Sequence, residues 1–276
     1  MRLVEKLTTN LRHSQVLKNY DGLWNFVRPL YNRFIDQYGK NGRERRINGT
    51  DKISVLPKFR GVAETYEPDV WHDIMNNIKA GDCVVDVGAY IGLYAIAIAK
   101  RLESEGKIIA FEPDPLNFQD LKQHIRLNQV DLLVEPINLA VGEKESIVYF
   151  ESGRDSQSSI QESSSSKTIA VNCVSLDNYF KNEKLDILKI DVEGYEEKVL
   201  KGATNLLHDH ERSPRRIYIE VHPFAWSKVG TSWDSLLDFL GDCHYDVFTL
   251  DGTPAKQITW WGEIIASKQF NNKSDR

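Results

Sequence analysis

Three short stretches of this 276-residue chain carry residue types and spacings that can do chemistry. The first is Val84-Val-Asp-Val-Gly-Ala-Tyr-Ile-Gly-Leu-Tyr94, where an apolar run ends, the chain turns at Gly88 and a helix begins near Gly92. Glycine lets backbone come close to a bound ligand, and a helix N-terminus presents N–H groups with no partner inside the helix. The second is Ala110-Phe-Glu-Pro-Asp-Pro115, whose Glu112 follows Gly88 by 24 residues. At the end of the second strand of a doubly wound sheet, a carboxylate points at a ribose held over the first turn, and its two oxygens can take both ribose hydroxyls. Asn117 adds a polar group near the start of the next helix. The glycine spacing is G-x-x-x-G, neither the G-x-G-x-x-G of dinucleotide enzymes nor a G-x-x-x-x-G-K-[ST] phosphate loop. A ligand with a ribose and no pyrophosphate cradle fits S-adenosylmethionine better than NAD.

The third stretch is Leu188-Lys-Ile-Asp-Val-Glu-Gly194, followed along the chain by Ile219-Glu-Val-His222. Asp191 and Glu193 close a predicted core strand, the position at which α/β sites form. Methyl transfer from a sulfonium is an in-line displacement that needs acceptor oxygen, methyl and sulfur aligned. A hydroxyl acceptor must also lose its proton, to a positioned carboxylate or histidine. Asp191 and His222 are the candidates for that role, with Lys189 pairing Asp191 or Glu193. Asp191, Glu193, Glu220 and His222 all fall at strand ends and offer ligands that would suit magnesium. No ligand spacing among them is diagnostic, so no metal site is assigned.

Positioning these groups requires alternating strands and helices. Strands are predicted at 83–87, 107–111, 133–138, 186–190, 216–221 and 245–250, with Ile264-Ile265 in a last one. Helices are predicted at 93–102, 115–128 and 196–201, and the segments 146–150 and 168–174 read as a β-excursion. This is an α/β pattern: a Rossmann-like, doubly wound and mostly parallel sheet. Before it, Leu17, Tyr20, Trp24, Val27, Tyr31, Phe34 and Tyr38 recur at helical spacing, and Pro29 interrupts them. The run 38–50 is rich in glycine, asparagine and arginine and reads as a loop. The expected division is a basic helical arm at 1–54, a main domain at 55–268 and a polar tail at 269–276. Seven serines in the twelve residues 156–167 mark a surface loop, either a lid or a disordered hairpin tip.

The motifs resemble those of the FkbM-type family of class I S-adenosylmethionine-dependent methyltransferases. The similar segments are Tyr66-Glu-Pro, Asp86-Val-Gly-Ala-Tyr-Ile-Gly92, Ala110-Phe-Glu-Pro-Asp-Pro115, Asn138-Leu-Ala140, Leu188 to Gly194, Lys201-Gly-Ala203 and Ile219-Glu-Val-His222. Tyr90 departs from the pattern, standing where the family usually has asparagine. The resemblance implies a seven-stranded sheet with its last strand antiparallel. It places Gly88, Ala89 and Gly92 along the methionine part of the cofactor, Glu112 on the ribose, and the segment Asn138 to Ala140 on the adenine side. Glu67 would approach from the opposite wall, and Asp86, Tyr90 and Pro113 fall within the cofactor-binding segments. It also implies methylation mainly of oxygen, on hydroxyls of sugars in polysaccharides and glycolipids or of natural products.

Composition narrows the alternatives. Hydrophobic residues at 41% and charged residues at 27% are ordinary for a globular protein. No apolar run approaches the roughly 20 residues of a bilayer crossing, and the first residues lack the apolar core of a secretory signal. Three separated cysteines (Cys83, Cys173, Cys243) fit a reducing cytoplasm. Residues 1–60 carry 13 basic against 5 acidic side chains, and the remainder 22 against 35. That asymmetry points to an arm facing the acidic body, a second subunit in a homodimer, or an anionic partner. An acidic body and the absence of an Asn/Asp-Pro-Pro-aromatic segment after the fourth core strand argue against a nucleic-acid methyltransferase. A dehydrogenase or epimerase would show the dinucleotide turn and a Tyr-x-x-x-Lys pair. N-methylation of a peptide or small molecule, and cofactor binding without catalysis, remain as the other readings.

Overall fold

The computed structural model describes residues 42–103, 105–151, 160–161 and 168–269. The aromatic stripe at 17–38, residues 1–41 of the expected arm and the polar tail beyond Gln269 lie outside the described residues. So does most of the serine-rich segment, of which Ile160–Gln161 forms a short strand. The described part of the arm is a β-hairpin rather than a helix. In chain order the strands are β1 (Arg43–Ile47), β2 (Asp51–Val55), β3 (Cys83–Val87), β4 (Lys107–Phe111), β5 (Val134–Ile137), β6 (Ala140–Val141), β7 (Ser146–Glu151), β8 (Ile160–Gln161), β9 (Thr168–Val174), β10 (Ile187–Ile190), β11 (Arg216–Val221), β12 (Tyr245–Phe248) and β13 (Gly262–Lys268). The helices are α1 (Pro68–Asn77), α2 (Leu93–Leu102), α3 (Pro115–Leu127), α4 (Leu176–Tyr179), α5 (Glu196–Lys201), α6 (Thr204–His208), α7 (Pro223–Trp226) and α8 (Trp233–Asp242). Among the described residues, 44–54 and 63–269 form one compact unit. Val55–Val62 falls to another, whose described element is a 3-10 turn at Pro57–Phe59.

A seven-stranded sheet in the order β12-β13-β11-β10-β3-β4-β5 carries the site. β5, β4, β3, β10 and β11 run parallel, and β13 lies antiparallel between β11 and β12. All five residues of β3 are buried, as an inner strand covered on both faces requires. The chain goes from β3 outward through α2, β4, α3 and β5, and later returns to lay β10 against the other side of β3. β3 is therefore the topological switch point, where a crevice opens at the carboxyl ends of the strands. The excursion between β5 and β10 forms a separate four-stranded sheet, β6-β9-β7-β8.

Register sets the floor of that crevice. Lys189 on β10 pairs Asp86 on β3 and Tyr218 on β11, so Asp191, one residue past the strand, comes level with Glu220. Glu220 in turn pairs Glu263 on β13. Beneath, Val85, Leu188, Ile190 and Ile219 pack with Leu236 and Leu240 of α8 in one apolar core.

The expected loop at 38–50 is corrected: 43–47 is a strand paired with β2. Asn48 and Gly49 both take positive φ (47° and 74°), and Thr50 N–H donates to Ile47 O at 3.1 Å. This is the two-residue Asn-Gly turn that a right-twisted hairpin favours, and it outweighs the polar composition. Helices α1 and α8 are absent from the sequence reading, although Val70, Trp71, Ile74 and Met75, and Trp233, Leu236 and Leu240, recur at helical spacing and are buried.

Candidate active site

The turn after β3 is built on backbone proximity. Gly88 has φ 85°, and a Cβ added there would lie 1.8 Å from Asp191 O, so a side chain at that position would force β3 and β10 apart. Gly92, also at φ 85°, caps the N-terminus of α2 and faces Leu121. Between them Tyr90 sits at φ 50°, and its N–H donates to Glu112 Oε2 at 2.8 Å. Glu112 Oε1 accepts from Asp114 N–H at 2.8 Å. Asp114 itself caps α3, accepting from Leu116 N–H and Asn117 N–H, with Pro115 at the first helical position. Each residue of the Glu-Pro-Asp-Pro run thus has a local task, and together they hold Glu112 in place before any ligand arrives.

These groups line one cavity at the carboxyl ends of β3, β4 and β10, the place where α/β sheets bind small molecules. Of the expected cofactor residues, Asp86, Gly88, Ala89, Tyr90, Glu112, Pro113, Asn117 and Ala140 are on its wall. Lys189, Asp191 and Glu193 line the same cavity. Four expectations place differently. Gly92 shapes the helix end rather than the wall. Asn138 donates from Nδ2 to Glu112 O (2.8 Å) and Pro113 O (3.0 Å), tying the loop after β4 to the end of β5. Glu67 is drawn away by Tyr94, whose hydroxyl donates to its Oε2 at 2.7 Å. It borders a smaller space beside Lys189, Glu220 and Glu263. His222 lies behind the wall, 2% exposed. The wall also contains Tyr66, Tyr94, Phe111 and Val141, which sequence reasoning did not assign. Tyr94 needed knowledge of which face of α2 meets the crevice, and Tyr66 of where the loop before α1 folds back.

Charge is concentrated here. Burial pushes Asp86 up to about 6, against the pull of Lys189. Burial also pushes Glu112 to about 8 and Glu193 to about 7. Asp86 Oδ1 is buried with no hydrogen-bond partner among the described residues. Burial disfavours the Lys189 ammonium, but Asp191, Asp86 and Glu67 outweigh it and raise its pKa well above the ordinary value. Lys189 Nζ donates to Asp191 Oδ2 at 3.2 Å and lies 4.7 Å over the Tyr94 ring. An orphaned carboxylate oxygen and carboxyls with raised pKa values are what a cationic, donor-bearing ligand would satisfy, since a nearby positive charge favours their ionised forms. These acceptors fit a ligand of the chemistry of S-adenosylmethionine, which carries a positive charge and hydroxyl donors.

Behind Asp191, the carboxylate of Glu196 is fully buried and accepts from Gly194 N–H (2.8 Å), Trp226 Nε1–H (2.7 Å) and His222 Nδ1 (2.7 Å). His222 Nε2 then faces Glu220 at 3.5 Å and Glu193 at 3.7 Å. Burial opposes the charge on this ring, but its bonds to Glu196 and Glu220 prevail and lift it to about 10. The ring has carboxylates facing both nitrogens, an arrangement that favours the imidazolium. Burial would raise Glu220 as well, but His222, Lys189 and Trp261 hold it at about 2. Asp191, Glu220 and His222 place one ligand-type atom each within 4.8 Å of one another. The positive charge among them is that of His222 and Lys189.

A doubly wound sheet with β13 reversed, a glycine turn after β3, a ribose-side glutamate after β4 and carboxylates after β10 define a class I S-adenosylmethionine-dependent methyltransferase. The model of the methyltransferase FkbM domain matches residues 86–247. The chain belongs to the FkbM methyltransferase family. It is 26% identical over 179 residues to the hexuronic acid methyltransferase AglP of Haloferax volcanii, covering 64% of this chain and 69% of that protein. It is 25% identical over 188 residues to the methyltransferase sdnD of Sordaria araneosa, covering 55% of this chain and 71% of the relative. The solved methyltransferase FkbM from Methylobacillus flagellatus KT is 17% identical with a TM-score of 0.46. That match covers 67% of this chain and spans 43% of the solved one. No helix among the described residues is long and apolar enough to cross a membrane.

Proposed function

We propose that this protein methylates a hydroxyl oxygen on a sugar unit. The observation that carries the reading is that one cavity has the Glu112 carboxylate on its wall and also Asp191 and Glu193. A relative whose name makes it a hexuronic acid methyltransferase supports a sugar as acceptor. S-adenosylmethionine supplies an electrophilic methyl group on a sulfonium that departs as a neutral thioether. The protein's own residues do the rest. Asp86, Glu112 and Asn117 hold the cofactor, while Asp191, fixed by Lys189, orients the acceptor hydroxyl. Glu193, on the same wall and with its carboxyl near 7, takes the hydroxyl proton. His222 stays protonated and steadies the carboxylates around it.

The test is incubation of the full chain with methyl-labelled S-adenosylmethionine and a panel of neutral pyranosides, hexuronides, hydroxylated natural products and amines, with products read by mass spectrometry. Label should appear on oxygen of a sugar. Glu193→Gln should lower kcat by about 10²–10⁴-fold with cofactor affinity retained, and should remove the acidic limb of the rate profile near pH 7. Label on nitrogen, or full turnover in Glu193→Gln, would overturn the assignment.

A further inference from the structure

Next to Glu220 and His222 the surface carries an aromatic face that the transfer chemistry does not use. Phe224, Trp260 and Trp261 are 45%, 70% and 51% exposed, three of the six large apolar side chains exposed among the described residues. Single exposed apolar residues are ordinary, whereas a contiguous set marks a binding surface. These three lie together beside Glu220 and His222. The Phe224 and Trp260 rings lie 5.0 Å apart at 34°, and Phe224 meets His222 edge to face at 5.8 Å. Trp261 Nε1–H donates to Glu220 Oε1.

The fold explains the arrangement. Val221 pairs Gly262 in the antiparallel β11–β13 ladder, so continuing the register brings Trp261 opposite His222 and Trp260 opposite Pro223. Phe224 belongs to α7, which rests on the loop after β10. A Cβ on Gly194 would meet Ala225 Cβ at 2.4 Å, so only glycine there allows the helix to sit so close. The aromatic face is thereby fixed to the loop that carries Asp191 and Glu193.

We propose that Phe224, Trp260 and Trp261 form the acceptor subsite, and that its occupant is a neutral pyranose ring. The inference rests on the sugar reading above and adds where the sugar binds and which sugars fit. One face of a hexopyranose is a patch of C–H groups while its rim is hydroxyl, which calls for an aromatic platform bordered by hydrogen-bond acceptors. Trp260 and Phe224 supply the platform, and Glu220 and Glu193 the acceptors. Asp191 and Glu220 are already engaged by Lys189 and His222. An anionic ring would therefore find no free cation there among the described residues, and would meet Glu193 and Glu263 as like charges when they ionise, which disfavours it. Three side chains are far fewer than the roughly 20–30 residues a side of a stable protein interface, so a second copy of the chain is the weaker occupant.

Saturation-transfer NMR on the full chain with S-adenosylhomocysteine present tests this, using methyl β-D-glucopyranoside, methyl β-D-galactopyranoside, methyl α-D-mannopyranoside and methyl β-D-glucuronide as probes. Ring C–H protons of a neutral pyranoside should receive saturation from aromatic protons. Trp260→Ala and Phe224→Ala should each weaken its binding by about two- to tenfold, with S-adenosylhomocysteine affinity unchanged as proof of folding. The proposal falls if no neutral pyranoside binds, if the double variant binds as well as the wild type, or if the glucuronide binds equally well. It also falls if either substitution changes the mass by light scattering, because a second copy then covers the face. Neutral sugars that bind through this face but are never methylated would leave the subsite standing and refute the sugar-methylation reading. Methylated sugars with unaffected platform variants would do the reverse.

Discussion

Replacing Glu112 with glutamine separates its two tasks. The side chain keeps its shape, but one of its oxygens becomes an NH2 facing a backbone N–H, from Tyr90 or from Asp114, each now 2.8 Å away. One buried hydrogen bond survives and the other becomes a donor against a donor. An unsatisfied buried donor costs about 1–3 kcal/mol. At about 2–4 °C per kcal/mol for a domain of this size, Tm should fall by roughly 2–12 °C. The cofactor also loses bonds to an ionised acceptor, about 1.5–3 kcal/mol, or roughly 10- to 150-fold in Kd. A further signature is proton linkage. Burial raises Glu112 from 4.5 to about 8 in the free protein, so the folded state binds this proton more tightly than the unfolded one. Stability of the free wild type should fall as pH rises from the ordinary value through about 8, and Glu112→Gln should lack that part of the slope. Cofactor binding near neutrality should release protons from the wild type and fewer from the variant. Scanning fluorimetry across this pH range, and calorimetry with S-adenosylhomocysteine in phosphate and in Tris, measure all three effects. A variant with unchanged Tm, affinity and proton release would remove Glu112 from both roles.

Other perturbations follow from the same geometry. Gly88→Ala places a Cβ 1.8 Å from Asp191 O at a φ of 85°, and should lower Tm and abolish cofactor binding together; normal values of both would show that the turn is not close-packed. Glu196→Gln withdraws a buried charge from His222, Trp226 and Gly194, with an expected loss of about 3–5 kcal/mol in denaturant unfolding. The His222 pKa of about 10 means its contribution is complete below 6.5 and is lost as pH rises through 10. In Glu196→Gln that loss should begin at lower pH, as a histidine NMR titration would read; an unchanged titration would contradict the pairing.

Much of the sheet was legible because its inner strands are short, largely aliphatic runs ended by glycine or acid, such as Val84–Val87 before Gly88, interrupted by Asp86, and Leu188–Ile190 before Asp191, interrupted by Lys189. Glu112 was legible for the same reason, since its spacing from Gly88 reflects one strand-helix-strand unit. What sequence could not supply were tertiary pairings. The amide of Asn138 also binds two backbone carbonyls, and the carboxylate of Glu67 accepts from Tyr94, pairings the sequence does not show. His222 reads as a base in isolation. The approach of Glu196, 26 residues earlier in the chain, is what favours its protonated form. The hairpin at 43–55 was hidden by its arginines, although Asn48-Gly49 announced it.

The reversed position of β13 has a consequence for synthesis. β12 has β13 as its hydrogen-bonded neighbour in the sheet, and β13 is made after it. On the ribosome, β5, β4, β3, β10 and β11 can assemble while β12 still has an open ladder and β11 an exposed edge, the state in which chains pair wrongly. Residues 262–268 then enter between two waiting strands, closing both edges in a single event. Trp260 and Trp261 arrive with that last strand, so the aromatic face is the final part of the site to exist. A nascent chain can complete its glycine turn and Glu112 clasp well before it can present that face.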